Sequence, residues 1–313
     1  MNAYFYILLG IMAGACFPIQ ATINAKLRTY AKTPLTASFI AFSVGSIVLF
    51  ITLMIVNPYF YQNIDFSYPT ITFFGGAAAG LIFNVANIVL FAKIGATITS
   101  LVTISGQMIM GTILDHFGVL NLPVQEVSLI RITGIVLMIL AIILYQKSNL
   151  QASVQNSEKG SILADSKAKY WMALGLFVGI FLPLQAAFNG QLRLATHSIL
   201  ASTFISFFIG AIMLAILVLI VEKRIKIPTR DSSNNRLPLW IYSGGLFGIM
   251  IVGGTIVVIH QLGAVLTSLV FIFGQLLMAV FVDHFGLLGL TKRKITLQKI
   301  LALSLMVIAL LIV

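Results

Sequence analysis

Apolar residues run almost unbroken near positions 4–24, 35–56, 71–92, 95–114 and 128–145, and again near 171–190, 199–221, 238–259, 264–282 and 296–313. Each run approaches about 20 residues, the helix length that crosses the hydrocarbon core of a bilayer. Barrel strands would be shorter and would alternate apolar with polar side chains, so the pattern predicts ten transmembrane α-helices. Between the two groups lies the polar segment 147–170, rich in Ser, Asn, Gln and Lys. It has too little apolar surface to order itself and reads as a linker between a first unit, 1–146, and a second, 171–313.

The two units repeat one another. Pro18, Gln20, Ala21, Asn24, Leu27 and Arg28 recur 165 residues later as Pro183, Gln185, Ala186, Asn189, Leu192 and Arg193. Between Gly95–Gly118 and Gly263–Gly286, 14 of 24 positions are identical, including Gly106-Gln107 with Gly274-Gln275 and Asp115-His116-Phe117-Gly118 with Asp283-His284-Phe285-Gly286. Convergent packing would reproduce small residues but not Gln and Asp-His at one offset, so a five-span unit has been duplicated. Five is odd, and the linker is too short and polar to cross, so the second unit enters the membrane upside down. With loops assigned to alternate faces, all 19 lysines and arginines except Arg131 and Arg193 fall on one side. By the positive-inside rule that side is cytoplasmic and both termini lie outside. The N-terminus carries no basic region and its apolar stretch runs on, so it reads as a first span rather than a cleaved signal.

Composition narrows the function classes. Of 313 residues 59% are hydrophobic and 9% charged, against about 25% charged in soluble domains, and ten spans leave no room for a soluble catalytic domain. A net charge of +11 would suggest nucleic acid in a soluble chain; its one-sided distribution makes it an orientation device instead, and no nucleic-acid partner is expected. A single cysteine, Cys16, excludes an intrachain disulfide and a cysteine metal cluster. No P-loop or HExxH pattern is present, so the chain is not expected to be an enzyme or to hold a metal or cofactor.

The candidate chemistry is amide chemistry. Pro18 and Pro183 sit within apolar helices, where proline is expected to break or kink the axis. Each is followed by Gln and Asn four residues apart, on one helix face: Gln20 and Asn24, Gln185 and Asn189. Amides in hydrocarbon need partners, and these four serve either as cavity lining or as interhelical ties. Gln107 and Gln275, halfway along their spans, are the deepest polar side chains and further cavity candidates. Gly75, Gly76 and Gly80, with Gly244, Gly245 and Gly248, are spaced for close helix approach. Asn84 and Asn87 face Val252 and Thr255 in the repeat, which would make a cavity asymmetric. Asp115-His116 and Asp283-His284 end their spans, either as solvated helix ends or as mirrored gates or proton relays. Lys26 and Arg28 are expected to snorkel to the cytoplasmic interface, and Arg193, on the sparsely basic face, is a candidate for attracting an anion. All eight acidic residues fall at span ends or in loops, which disfavours a buried-carboxylate proton antiporter.

In the Pro-x-Gln-x-x-x-Asn-x-x-Leu-Arg segments, the Gly-Gly motifs, Gly-Gln and Asp-His-Phe-Gly, the chain resembles the YdcZ family of the drug/metabolite transporter superfamily over nearly all of both halves. The resemblance implies an all-α polytopic protein of ten helices in two inverted five-helix repeats, secondary transport by alternating access, and residence in the bacterial inner membrane. Members often occur as single five-helix units, so this chain resembles a fused pair. Small multidrug resistance relatives use a carboxylate in the first helix, where this chain has Gln20 and Asn24, so proton-coupled cation efflux is not implied. The expectation is a monomeric transporter, partnered by the bilayer and by a neutral, zwitterionic or anionic small solute; the alternative is a structural or lipid-handling, scramblase-like protein without a soluble substrate.

Overall fold

Apolar helices need start and stop signals, and the duplicated text supplies the same ones twice. In the computed structural model, which describes residues 3–126, 128–154, 168–231, 234–287 and 295–312, the Thr33 hydroxyl accepts from the N–H of Thr36 and its repeat mate Ser198 accepts from Ala201. Ser128 and Thr296 cap two further helix starts through Arg131 and Lys299. Such caps satisfy backbone donors that have no intrahelical partner. The closing glycine of Asp-His-Phe-Gly ends a helix in each half: Gly118 (φ 58) and Gly286 (φ 63) are left-handed, with their N–H groups on Leu114 and Val282.

The helices are α1 (Ala3–Ala31), α2 (Pro34–Val56), α3 (Ile71–Phe117), α4 (Leu129–Val154), α5 (Ala168–Gly179), α6 (Phe181–Thr196), α7 (Ile199–Glu222), α8 (Gly244–Phe285) and α9 (Leu297–Ile312). Among the described residues, seven helical stretches are long and apolar enough to cross a membrane, and Ile71–Asn87 and Leu297–Ile312 are shorter apolar helices. Three differences from the sequence pattern have local causes. Runs 71–92 and 95–114 join in α3, and runs 238–259 and 264–282 join in α8. At about 1.5 Å per residue each of these helices exceeds the roughly 30 Å hydrocarbon thickness. In α8 a single residue kinks the helix between the two runs without a loop: Gly263 (φ 78, ψ 174) adopts a conformation reserved for glycine. Second, α1 continues as helix through Pro18, whereas the first span of the second unit is split at Ile180 into α5 and α6. Pro183 is the third residue of α6, where its missing N–H has no intrahelical acceptor to lose. Third, residues 147–154 extend α4 into the polar segment expected to be linker, and Ala168–Tyr170 already begin α5; linker residues 155–167 lie outside the described residues.

The halves interlock by exchange. Helix α1 packs chiefly on α8, while α5 and α6 pack chiefly on α3; α2 meets α7, and α4 meets α9. Two reciprocal glycine crossings set the distance. A Cβ on Gly14 would overlap the Phe271 carbonyl and one on Gly274 the Ile11 carbonyl; their mates Gly179 and Gly106 stand in the same relation to Thr103 and Leu176. Small residues let backbones approach this closely where apolar burial provides no drive for association in lipid. The main core cluster draws on both halves, with Met108, Met138 and Ile142 against Val265, Leu269 and Met306. The exterior is apolar: Ile55, Leu129 and Leu311 are 77%, 83% and 80% exposed, as a bilayer solvent requires.

Candidate functional site

The two sequence motifs of the repeat meet each other. Gln20 and Asn24 of α1 lie against Gly248 and Gly244 of α8, so that a Cβ at either glycine would overlap an amide; Gln185 and Asn189 of α6 lie against Gly80 and Gly76 of α3 in the same way. The glycines expected to serve close packing thus make room for side-chain amides of the other half.

Between these contacts runs a cavity of about 280 Å³, walled by Gln20, Asn24, Asn84, Asn87 and Gln185 and by the rings of Phe17, Phe42, Phe207 and Phe271. It extends to Arg28, Pro34 and Ser38 at the α1–α2 turn. A second, narrower cavity of about 40 Å³ continues in the other direction, between Gln107, Gln185, Thr255, Thr267 and Ser268. Leu182, Gln185, Ile251, Val252 and Phe271 line both. The two cavities therefore adjoin, one wide and one narrow, with Gln185 and Phe271 on the wall they share.

Of the six amides marked from sequence, Gln20, Asn24 and Gln185 share the wide cavity and Gln107 lines the narrow one. Asn189 is 1% exposed and lines neither cavity. Gln275 is partly buried and also lines neither. Among the described residues neither amide atom of Asn189 has a hydrogen-bond partner, nor do Asn24 Oδ1, Asn87 Oδ1 or either ring nitrogen of His260. His260 sits against Gly190, next to Asn189 in α6. Buried polar atoms are normally satisfied; of these orphans Asn24 and Asn87 belong to the wall of the wide cavity, whereas Asn189 and His260 line neither cavity. Asn84 also lines the wide cavity, and its amide donates to the Gly80 carbonyl of its own helix at 2.8 Å.

Asp115 does not form a dyad with His116. It is fully buried, ion-paired to Arg131, and accepts from the backbone N–H groups of Ala264 and Val265, the latter at 3.0 Å. It thereby caps the helix that restarts after Gly263, in the opposite half. Gln125 completes the clamp by donating to the Leu262 carbonyl at 3.2 Å. A carboxylate at a helix N-terminus facing a guanidinium is electrostatically satisfied, so the solvated end expected for Asp115 is replaced by a buried clamp. His116 is exposed and edge-on to Phe117, as exposed His284 is to Phe285. The side chain of Asp283 lies outside the described residues.

Sequence reasoning placed Arg28 among interfacial anchors, whereas it lines the cavity mouth. The signal was present: residues 20, 24 and 28 follow i, i+4, i+8 on one helix face. The aromatic walls carried none, because Phe is ordinary in any apolar span.

The bundle, apolar toward lipid and enclosing a cavity with amides on its wall, defines a multi-pass membrane protein. The comparisons place the chain within that class. A family model described as "Putative inner membrane exporter, YdcZ" matches residues 5–144 and 170–312. The chain belongs to the YdcZ family and is a multi-pass protein of the inner membrane; a transport role fits that family, which is described as an exporter rather than an enzyme class. Comparison with curated proteins finds no match. Among solved structures, a crystal structure of a protein aligns at a TM-score of 0.70 with 10% identity, covering 99% of this chain and 95% of that one. That likeness concerns the fold alone.

Proposed function

We propose that the chain is a ten-helix secondary transporter of two inverted five-helix repeats, with both termini outside, moving a small polar solute by alternating access. The observation that carries this reading is the pair of adjoining cavities, wide on one side of Gln185 and Phe271 and narrow on the other, which in this reading make one path. A site at the repeat interface near mid-membrane is where inverted-repeat transporters hold substrate. The exchange of α1 onto α8 and of α5 and α6 onto α3 supports the two-fold relation of the repeats. The distribution of lysine and arginine supports the orientation, which places the wide half on the cytoplasmic side through Arg28 and Pro34. Amides without a carboxylate on the cavity wall suit a neutral, zwitterionic or anionic solute. The partners of the reading are that solute and the bilayer, with the chain acting as a monomer. A purely structural protein is disfavoured because a cavity with amides on its wall lies between the halves, where that reading calls for dry packing.

The test is a thermal-shift screen of detergent-solubilised protein against amino acids, sugars, organic acids and cationic drugs, since a ligand of the folded state stabilises it by mass action. At 100-fold excess over Kd the gain is about 2.7 kcal/mol. A stabilising solute whose effect disappears in Gln20→Leu/Gln185→Leu supports the site. Stabilisation that persists in that folded double variant contradicts it.

A further inference from the structure

The wide cavity has one formal charge on its wall, and it is positive. Arg28 stands at the mouth, and no aspartate or glutamate is among the residues lining the cavity. Among the described residues no carboxylate pairs with Arg28: Asp115 is committed to Arg131, and Glu222, the acidic group beside the α1–α2 turn, accepts from the hydroxyls of Thr33 at 2.6 Å and Thr36 at 2.7 Å. The neighbouring cation Lys26 is turned toward the Tyr30 ring, 6.0 Å from its centroid. Behind Arg28 the helix presents Asn24 and then Gln20, one and two turns deeper, facing the rings of Phe17, Phe42, Phe207 and Phe271. The cavity therefore has a cationic end, an amide flank and an aromatic floor. Its volume of about 280 Å³ lies just below the range usual for small-molecule sites.

The geometry points to a solute with an anionic head, a carboxylate or a similar oxyanion, on a compact apolar or aromatic body, the head held by Arg28 and the body set among the rings. This deepens the proposed function and rests on the wide cavity being the solute site. A guanidinium offers two parallel donors matched to an oxyanion, whereas a cationic solute meets a like charge at the mouth and no counter-charge within. Arg193, the mate of Arg28, follows Gln185 and Asn189 at the same spacing but lines neither cavity, so the cationic end belongs to the wide cavity alone.

Ser38 lines the same mouth and provides a reporter. In a Cys16→Ala background, the rate at which maleimide alkylates Ser38→Cys is measured with three probes of matched body: 3-phenylpropionate, 3-phenylpropanol and 3-phenylpropylamine. The proposal expects concentration-dependent protection in which the carboxylate acts at about tenfold lower concentration than the alcohol, and the amine is weakest; a charge-assisted hydrogen bond corresponds to about that factor or more. Arg28→Gln should remove the advantage of the carboxylate over the alcohol, and Arg28→Lys should restore part of it. Because Arg28 is exposed, both variants should elute as the parent does. Equal protection by all three probes would overturn the charge selectivity while leaving the solute site standing. No protection by any probe would overturn the solute site as well. An arm with phosphatidylglycerol against phosphatidylcholine in mixed micelles separates the sources of the anion: protection by the anionic lipid and not by 3-phenylpropionate would overturn a free solute.

Discussion

At the scale of residues, polar side chains in this bundle divide into those the protein satisfies and those it leaves to the path. Asp115 belongs to the first group. Its carboxylate binds Arg131 and two backbone N–H groups with no exposure, so removing its charge leaves a buried guanidinium without a counter-charge. Asp115→Asn should cost about 3–5 kcal/mol, read as a lower Tm in detergent. Asp115→Asn/Arg131→Met should recover much of that loss; a single variant as stable as the parent would contradict the clamp. The sequence showed that Asp115 is repeated at 283 but not what it touches, because Arg131 and Gly263 lie in different helices and, for Gly263, in the other half. The amide pairs were more legible. Gln and Asn four apart after a proline pointed to one face, and glycines at spacing four pointed to another, yet that the two motifs fit each other became visible only in three dimensions. Asn189 and Gln275, equal to their mates in sequence, line neither cavity because the two halves of the path differ in width.

At the scale of elements, ten apolar runs were readable because each carries its own length and composition, while the joints between them were not. A single glycine with φ 78 kinks α8 without a loop, and single glycines are too common in apolar spans to announce a kink. The two prolines illustrate the same limit: the residue is repeated, but the helix breaks in one copy only, at Ile180. Gly263→Ala tests the joint. Its backbone conformation costs a non-glycine residue of order 1–3 kcal/mol, and the added Cβ would also crowd the Asp115 carboxylate and the Gln125 amide. The expected result is a fall in Tm, larger than for alanine at Gly253, where an added Cβ meets only the Thr203 hydroxyl at 3.8 Å. Equal effects at both positions would show that the joint carries no special constraint.

At the scale of the whole molecule, duplication explains both the symmetry of the packing and the asymmetry of the path. Each half lends its first span to the other, so the wall of the cavity is made jointly, and the glycine crossings at Gly14 with Gly274 and at Gly179 with Gly106 form paired close contacts between the halves. Asn84 and Asn87, present in one half only, line the wide cavity, where identical halves would have given two equivalent mouths. The central claim is that this path is open to one side at a time. The most direct measurement is alkylation by a membrane-impermeant maleimide of Ser38→Cys in the wide half and Thr267→Cys in the narrow half, each in a Cys16→Ala background, in inside-out and right-side-out vesicles. The account predicts fast labelling of Ser38→Cys in inside-out vesicles only, and slow labelling of Thr267→Cys from both sides. Labelling of Ser38→Cys in right-side-out vesicles, or of both positions from one side at equal rates, would contradict it.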